Sequence, residues 1–187
     1  MKELIKSRRT IRKFHQKPLT CEQLKEYIDA ARVAPSGANL QPLKYIAVQS
    51  KAMADKMFPL VKWAGYLAPD YNPADDERPT AYIVVCADTE IRKTGYELDV
   101  GASVENIILS ALSDGVGACW MAAIDRDEIR KILDIPESCE IPCLVALGYP
   151  KESPKEVDIT TDIKYYLDGE TLCVPKRDMD EVLIKTV

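Results

Sequence analysis

Four donor-bearing side chains near the amino terminus could together bind one anion. They are Arg8, Arg9, Thr10 and Arg12. Guanidinium groups pair bidentately with phosphate oxygens, and a threonine hydroxyl adds a further donor. Because the apolar Ile11 and Phe14 stand among them, we expect the segment to be anchored on the core with its cations converging on one anion. A solvated basic face is an alternative. A nucleic-acid patch is another, weakened because Phe14 is the only ring among the cations that could stack on a base.

A second polar group lies in the segment 34–42, between a predicted helix and a predicted strand. Its proline, glycine, serine and asparagine residues favour a tight turn. The side chains of Ser36, Asn39 and Gln41 offer paired hydrogen-bond donors and acceptors that suit a flat heterocycle. Such a segment is also common as a plain helix-to-strand turn, so its residues alone leave both interpretations open.

The other reactive residue types exclude several kinds of site. The single histidine, His15, disfavours histidine-rich zinc sites and Cys-His dyads. The six cysteines form no C-x-x-C pair, so we predict no metal site and free thiols. Gly115 and Gly117 lack the third glycine of a dinucleotide fingerprint and stand between a helix and a strand, the reverse of the required order. Ser36 is not in a G-x-S-x-G context, which argues against a hydrolase nucleophile.

Length and charge limit the number of domains and the classes of partner. The chain has 187 residues, so we expect a single domain spanning 1–187. Lys and Arg total 25 against 30 Asp and Glu, and the net charge of −5 predicts no general attraction to nucleic acid or anionic lipid. The sequence shows no long apolar stretch and no leader pattern, so we expect no membrane segment and a cytoplasmic location.

The elements that must position these groups alternate between helices and strands. Thr20 and Gln23 form a capping box ahead of a helical apolar pattern, which predicts a helix that closes before the second polar group. The runs 43–49 and 80–87 are short and β-rich, and a helix pattern at 51–58 lies between them. The sequence therefore predicts a strand on each side of this helix.

The second half of the chain contains the longest predicted helix, at 98–116. Its apolar residues fall on more than one face, so we expect it to be buried nearly all round, in the core or at a subunit interface. A strand at 118–124, a capped helix at 125–133 and a last core strand at 141–147 follow. Residues 151–187 are polar and interrupted by prolines, which predicts an extended arm with a short final helix.

The segment 64–79 contains three prolines and an acidic cluster, and it predicts an irregular excursion. Trp63, Tyr66 and Tyr71 lie on or beside it. A long ordered loop of this kind often covers a site, but its aromatic residues can equally pack on the core. Both interpretations stand at this point.

Together the two polar groups resemble motifs of the FMN-dependent nitroreductase family. RRTIRKF at 8–14 is similar to that family's opening R-R-S-x-R-x-[FY], and APSGANLQPLKY at 34–45 is similar to its A-P-S-x-x-N-x-Q-P-W-x-F motif. The long helix, the run GVGACWMAA at 115–123, the strand ending in LGYP and the terminal KRDMDEV also follow the family's order. Leu43 stands where the family usually has tryptophan, and the loop 64–79 matches no family motif.

This resemblance implies an α+β fold, with a central, mostly antiparallel sheet flanked by helices, in an intertwined homodimer that holds FMN between its subunits. It implies an oxidoreductase that uses NADH or NADPH to reduce nitroaromatic, quinone or similar flat small-molecule acceptors through flavin N5. No catalytic residue is then required of the protein. A flavin-dependent dehalogenase or flavin-fragmenting relative, to which P-S-G-A is similar, and a non-catalytic FMN-binding protein remain the alternatives.

The resemblance also implies where the cofactor is held. Arg8, Arg9 and Thr10 would lie near the phosphate, and Arg12 would reach the N1–O2 side of the flavin. The polar group around Ser36 would contact the flavin from the partner subunit, and the strand after the glycine pair would donate a backbone N–H to N5. The expected cofactor-binding residues are Arg8, Arg9, Thr10, Arg12, Pro35, Ser36, Gly37, Asn39, Gln41, Met121, Ala122, Ala123 and Arg177.

Overall fold

Six helices and eight strands form within residues 1–67 and 71–187, which are the residues that the computed structural model describes. The helices are α1 (Lys2–Ser7), α2 (Cys21–Arg32), α3 (Lys51–Met57), α4 (Glu97–Ser113), α5 (Arg126–Leu133) and α6 (Met179–Val182). The strands are β1 (Phe14–His15), β2 (Leu43–Val48), β3 (Ala81–Asp88), β4 (Gly117–Met121), β5 (Cys139–Pro150), β6 (Lys155–Asp158), β7 (Tyr166–Asp168) and β8 (Thr171–Lys176). From α2 to β5 this order agrees with the predicted elements, whereas α1 and β1 were not predicted from the sequence.

An antiparallel five-stranded sheet forms the centre, in the order β1-β5-β3-β2. The long strand β5 pairs with β3 along one edge, and β4 and β1 share its other edge. Every residue of β3 is buried, because its alternating side chains enter two separate cores. One core lies between the sheet and helices α2 and α4, and the other lies under α3 and α5.

Local sequence signals explain where most helices begin. Thr20 and Gln23 form both hydrogen bonds of the predicted capping box at the start of α2. The Asp125 side chain accepts the Glu128 amide at 3.1 Å and so caps α5. The long helix α4 is buried along one side and half-buried along most of the other, and Leu98 at its start is 84% exposed in the single chain. Burial nearly all round is therefore met only in part by one chain, and burial of the remaining side at a subunit interface stays a prediction.

The strand predicted at 118–124 ends three residues early, at Met121. In the β4–β5 register, which pairs Met121 with Leu144, residue Ala123 would face Pro142, and proline has no N–H to continue the ladder. The guanidinium of Arg126 instead donates to the carbonyls of Ala122 and Pro142, at 3.0 and 3.1 Å.

The predicted extended arm at 151–187 is wrong for its central part. Strands β6, β7 and β8 form a second sheet in the order β6-β8-β7, which packs through Leu172 on Ala64 and Tyr71. All three residues of β7 are exposed, so this strand carries no alternating apolar pattern that sequence analysis could recognise. The short final helix is confirmed as α6. No helix within the described ranges is long and apolar enough to cross a membrane.

Candidate functional site

The basic segment is an extended chain anchored at two points by apolar side chains. Phe14 is fully buried, and a Cβ atom added to Gly148 would lie only 2.9 Å from its ring. Gly117 makes room for Ile11 in the same way, since a Cβ there would lie 2.7 Å from the Ile11 side chain. The Ile11 amide also donates to the carbonyl of Ala118 at 2.9 Å. The prediction that Ile11 and Phe14 anchor this segment on the core is confirmed.

Arg8 and Arg9 border one pocket, but each is paired with its own carboxylate. Arg8 Nε lies 3.7 Å from Glu105 on α4, and Arg9 forms an ion pair with Glu156 on β6. The pocket, about 230 Å³ in volume, is lined also by Gly117. Two of the four expected donors, Arg8 and Arg9, therefore border the same pocket, and the convergence of all four on one anion stays a prediction. An entering anion would replace the two carboxylates.

Arg12 lies beside a pair of aromatic rings. Its guanidinium carbon is 4.8 Å from the ring centre of Tyr165, a cation-π distance, and that ring packs on Tyr66 at 4.9 Å between centres. The Tyr165 hydroxyl accepts a hydrogen bond from the Tyr66 amide at 3.3 Å. Two residues before Arg12, Thr10 forms a β-bridge with Ala118, which lines the pocket beside Arg8. The Arg12 cation thus adjoins a pair of aromatic rings whose planes are inclined at 50° to each other.

Glu152 joins the basic segment to the loop 64–79. It accepts hydrogen bonds from the amides of Arg12 and Lys13 and from the hydroxyl of Tyr71. Burial raises the pKa of Tyr71, and the hydrogen bond to Glu152 raises it further, so this phenol stays protonated. One carboxylate therefore holds the backbone of the basic segment and the loop together.

The three aromatic residues of this loop region have different environments. Trp63 and Tyr71 are buried, at 4% and 7% exposure, so for these two the core-packing interpretation is confirmed. Tyr66 is 56% exposed and is the one of the three that faces solvent. Residues 68–70 of the predicted excursion lie outside the described residues.

The second polar group forms the predicted tight turn, and its backbone is strained. Ala38, Asn39 and Gln41 have φ angles of 52°, 56° and 51°. This left-handed conformation costs about 1 kcal/mol or more for each residue other than glycine. Strain of this size persists only where the surrounding structure enforces it.

A buried carboxylate, that of Asp99 on α4, holds this loop. Ser36 Oγ donates to Asp99 Oδ2 at 2.7 Å, and the Gly37 amide donates to Oδ1 at 3.1 Å. Ser36 Oγ in turn accepts the Gln41 amide at 2.9 Å, and Arg92 approaches the carboxylate to 3.3 Å. Both ends of the strained turn are therefore connected to one side chain.

Sequence reasoning missed Asp99. Burial raises the pKa of this carboxyl, but the hydrogen bonds from Ser36 and Gly37 and the charge of Arg92 outweigh burial, and the pKa ends below its ordinary value. The group is thus ionised at neutral pH although only 5% exposed. The signal that could have found it is an acidic residue immediately before Val100, on the apolar side of the predicted helix.

A pocket of about 140 Å³ opens beside the strained turn. Pro35, Ser36 and Gln41 line it together with Leu43, whereas Gly37 and Asn39 lie on the exposed turn itself. Within the described part of the chain, this pocket shares no lining residue with the pocket beside Arg8. One chain therefore presents its two predicted binding groups at two separate openings.

The stretch predicted to supply a backbone donor lies where β4 ends. Met121 is buried in the sheet, and Ala122 and Ala123 follow it as exposed residues. Their carbonyls accept bonds from Arg126 and from the Lys62 amide, each at 3.0 Å. Their amides find no acceptor among the described residues, which leaves two backbone donors at the sheet end.

Arg177 stands at the end of β8, and its guanidinium bonds Glu181 at 3.2 Å. Arg177 comes three residues after Val174 in the chain. Val174 on β8 lies opposite Glu156 on β6, and Glu156 forms the ion pair with Arg9. Three residues of extended chain span about 10 Å, so Arg177 lies about that far along the chain from the position opposite Glu156.

All six cysteines are free thiols, and Cys21 alone of them is exposed. Burial raises the pKa of Cys86, Cys119 and Cys143 to about 11 each. These three thiols are therefore protonated and unreactive at neutral pH, as expected for small apolar residues of a core.

Known proteins share this sequence and fold over most of the chain. The nitroreductase family model matches residues 5–149. A relative from Archaeoglobus fulgidus, named as a candidate NADH dehydrogenase/NAD(P)H nitroreductase, is 34% identical over 157 residues, or 80% of this chain and 85% of the relative.

The crystal structure of a protein of the same description from Bacteroides thetaiotaomicron has a TM-score of 0.70 at 26% identity, covering 98% of this chain and 95% of that one. An FMN-dependent nitroreductase from Clostridium difficile R20291 has a TM-score of 0.67 at 25% identity, covering 81% and 88%. The two anchored polar groups, the antiparallel sheet and these likenesses agree, and the chain belongs to the nitroreductase family.

Proposed function

We propose that this chain is an FMN-dependent NAD(P)H oxidoreductase that reduces nitroaromatic, quinone or similar flat, electron-poor acceptors. FMN supplies the redox chemistry when bound, accepting a hydride at N5 and passing electrons to a second substrate in the same pocket. The observation that carries the proposal is the presence on one chain of a pocket bordered by Arg8 and Arg9 and of a hydrogen-bonding turn made of neutral residues. These two chemistries suit the two ends of FMN, a phosphate and a flat heterocycle.

Arg8, Arg9 and Thr10 hold the phosphate in this proposal. Their donors fit a doubly charged anion, and Arg8 and Arg9 border one pocket, whose wall includes Gly117 and Ala118, the bridge partner of Thr10. The phosphate replaces Glu105 and Glu156 as the partner of the two arginines. Arg177 is proposed as a further cation for the phosphate.

Arg12 and the end of β4 position the flavin ring. The Arg12 guanidinium stabilises negative charge at the N1–O2 side of the ring. The amides of Ala122 and Ala123, which lack acceptors within the described residues, offer the backbone donor for N5, and Met121 fixes the strand end in the core. The small size of these two alanine side chains matters more than their chemistry, because it leaves the backbone amides accessible to the flavin.

The flavin lies between two copies of the chain in this proposal. Pro35, Ser36, Gly37, Asn39 and Gln41 contact it from the partner subunit. Two facts support this arrangement: the pocket beside the turn and the pocket beside Arg8 open at separate places on one chain, and α4 presents Leu98 to solvent. Dilution should then release FMN as the dimer dissociates. Sedimentation that finds tightly bound FMN on a monomer would contradict the shared site.

Tyr66 and Tyr165 provide the surface on which an acceptor stacks. Their rings adjoin Arg12, and Tyr66 is exposed in the loop proposed to cover the site. Stacked aromatic rings favour flat acceptors and exclude water from one face. Replacing Tyr66 by alanine should raise KM for aromatic acceptors several-fold and leave the reduction by NAD(P)H unchanged.

The decisive experiment is anaerobic flavin spectroscopy on the purified protein reconstituted with FMN. Addition of NADH or NADPH should bleach the flavin, and a quinone or nitroaromatic should restore its colour. Failure to bind FMN would refute the proposal. Binding without bleaching by either nucleotide would identify a non-catalytic FMN-binding protein instead, and halide release from a halogenated phenol would favour a dehalogenase.

A further inference from the structure

The turn at 36–41 is the most strained segment of the candidate site, and its conformation depends on a residue far away in the sequence. Three of its residues other than glycine have positive φ angles. The hydrogen bonds that oppose this strain converge on Asp99, through Ser36 Oγ and the Gly37 amide. The Gln41 amide is tied to the same point, because it donates to Ser36 Oγ.

Arg92 completes this arrangement from the opposite side. Its NH1 group lies 3.3 Å from Asp99 Oδ2, and its Nε donates to the carbonyl of Thr94 at 3.0 Å. The guanidinium also covers Gly37 so closely that a Cβ atom there would lie 2.6 Å from NH1. Arg92 therefore neutralises the buried carboxylate and confines the turn, and Gly37 is the residue that fits beneath it.

We infer that Asp99 and Arg92 are positioning residues that hold the turn 36–41 in its binding conformation before the cofactor arrives. This inference rests on the proposed function, in which that turn contacts FMN. Asp99 also lines the pocket beside the turn, but the role inferred for both side chains is exerted on the turn. They act by keeping Asn39 and Gln41 in place, so that FMN binding does not have to supply the free energy of ordering a strained loop.

The test uses Asp99→Asn, which preserves the shape of the side chain and removes its charge. Glu97→Gln is the matched control, since it removes a carboxylate from the same first turn of α4 at an exposed position. We expect Asp99→Asn to weaken FMN binding at least tenfold in a fluorescence titration of the apoprotein. At saturating FMN its reduction rate should return to within twofold of wild type, because the bound cofactor itself then holds the turn in place. Glu97→Gln should leave both quantities unchanged.

Hydrogen exchange on the apoprotein supplies a readout that needs no cofactor. The amides of Gly37 and Gln41 should exchange at least tenfold faster in Asp99→Asn than in wild type, while amides of β3 keep their protection. Arg92→Gln, at a more exposed position, should give the same pattern with a smaller effect and serves if Asp99→Asn does not fold. A general loss of protection in both variants would overturn the inference by assigning these residues to overall stability.

Two results would separate the inference from the proposed function. If wild type binds FMN and Asp99→Asn binds it within twofold of the same affinity, the positioning role is wrong and the proposed function stands. If wild type binds no FMN, the proposed function fails and the turn loses its assigned ligand, which overturns the inference as stated.

Discussion

The basic segment at 8–14 and the turn at 36–41 are the two halves of the candidate site, and different forces position them. The basic segment is anchored on the core by shape, since Ile11 and Phe14 occupy spaces that Gly117 and Gly148 leave open, and Glu152 only adds hydrogen bonds to its backbone. The turn is held by charge, through one buried carboxylate and its cation partner. The apolar anchors depend only on the side chains packed around them. The charged network keeps the turn in place only while both Asp99 and Arg92 are present.

This difference has a consequence for how each half responds to substitution. Damage to the apolar anchors removes buried contacts from the central sheet and so lowers the stability of the whole domain. Damage to the charged network leaves the sheet intact and releases a local strain. Stability and cofactor affinity should therefore change together in the first region and separately in the second.

The largest expected effect is that of Phe14→Ala. Removing a fully buried phenylalanine costs about 3–5 kcal/mol, so the free energy of unfolding should fall by that amount in urea denaturation. FMN affinity should fall with it, because the basic segment loses its anchor. His15→Ala, at the exposed neighbouring position, should stay within about 0.5 kcal/mol of wild type. Similar losses for both variants would show that this segment is not anchored through Phe14.

A second substitution, Gly117→Ala, places an atom where the basic segment now lies. The new Cβ would be 2.8 Å from Cβ of Ile11 as well as close to its side chain, so the segment itself must shift. Over-packing of this kind costs about 1–3 kcal/mol. Gly65→Ala is the control, since nothing lies within 4 Å of its added Cβ. Unchanged stability in Gly117→Ala, measured by the same urea titration, would contradict the tight fit.

Gly37→Ala, in the turn, should lower stability little and FMN affinity strongly. Its Cβ would meet only the end of the Arg92 side chain, which can rotate away, so the free energy of unfolding should fall by no more than about 1 kcal/mol. The displaced guanidinium leaves Asp99, and FMN affinity should fall at least tenfold. Calorimetric titration with FMN beside thermal unfolding measures both. A stability loss as large as that of Gly117→Ala would remove the distinction between the two regions.

The smallest expected effect is the acid dependence that Asp99 contributes. Its pKa in the folded chain lies below the ordinary value of about 3.9. The ionised carboxylate therefore stabilises the folded chain in full at any pH above the unfolded-state pKa. This stabilisation decreases as the pH falls below the unfolded-state pKa and is lost once the pH is below the folded-state pKa. The difference in thermal midpoint between wild type and Asp99→Asn should shrink from about pH 5 to about pH 2. A difference that is constant across this range would show that the charge of Asp99 does not stabilise the fold.

The elements that could be predicted from sequence are those whose cause is local. The capping box of Thr20 and Gln23 predicts the start of α2, and alternating or continuous apolar runs predict β2, β3 and β5. The anchoring role of Ile11 and Phe14 follows in the same way from apolar residues placed among cations. These predictions succeed because neighbouring residues contain the information.

The errors have non-local causes. The end of β4 depends on Pro142, which lies opposite it on β5. The strand β7 is exposed on every residue, so it forms by pairing with β8 and has no apolar pattern of its own. The role of Asp99 depends on a turn that lies 62 residues earlier in the chain. The carboxylate partners of Arg8 and Arg9 are equally remote, and no local pattern could indicate them.

The distribution of thiols has a practical consequence for studying this protein. Five of the six cysteines are buried, and only Cys21 is accessible at the start of α2. A maleimide dye should therefore attach at one position in the folded wild-type chain, without any cysteine being removed. That position lies at the opposite end of α2 from the strained turn, so a dye there would leave the turn itself unmodified.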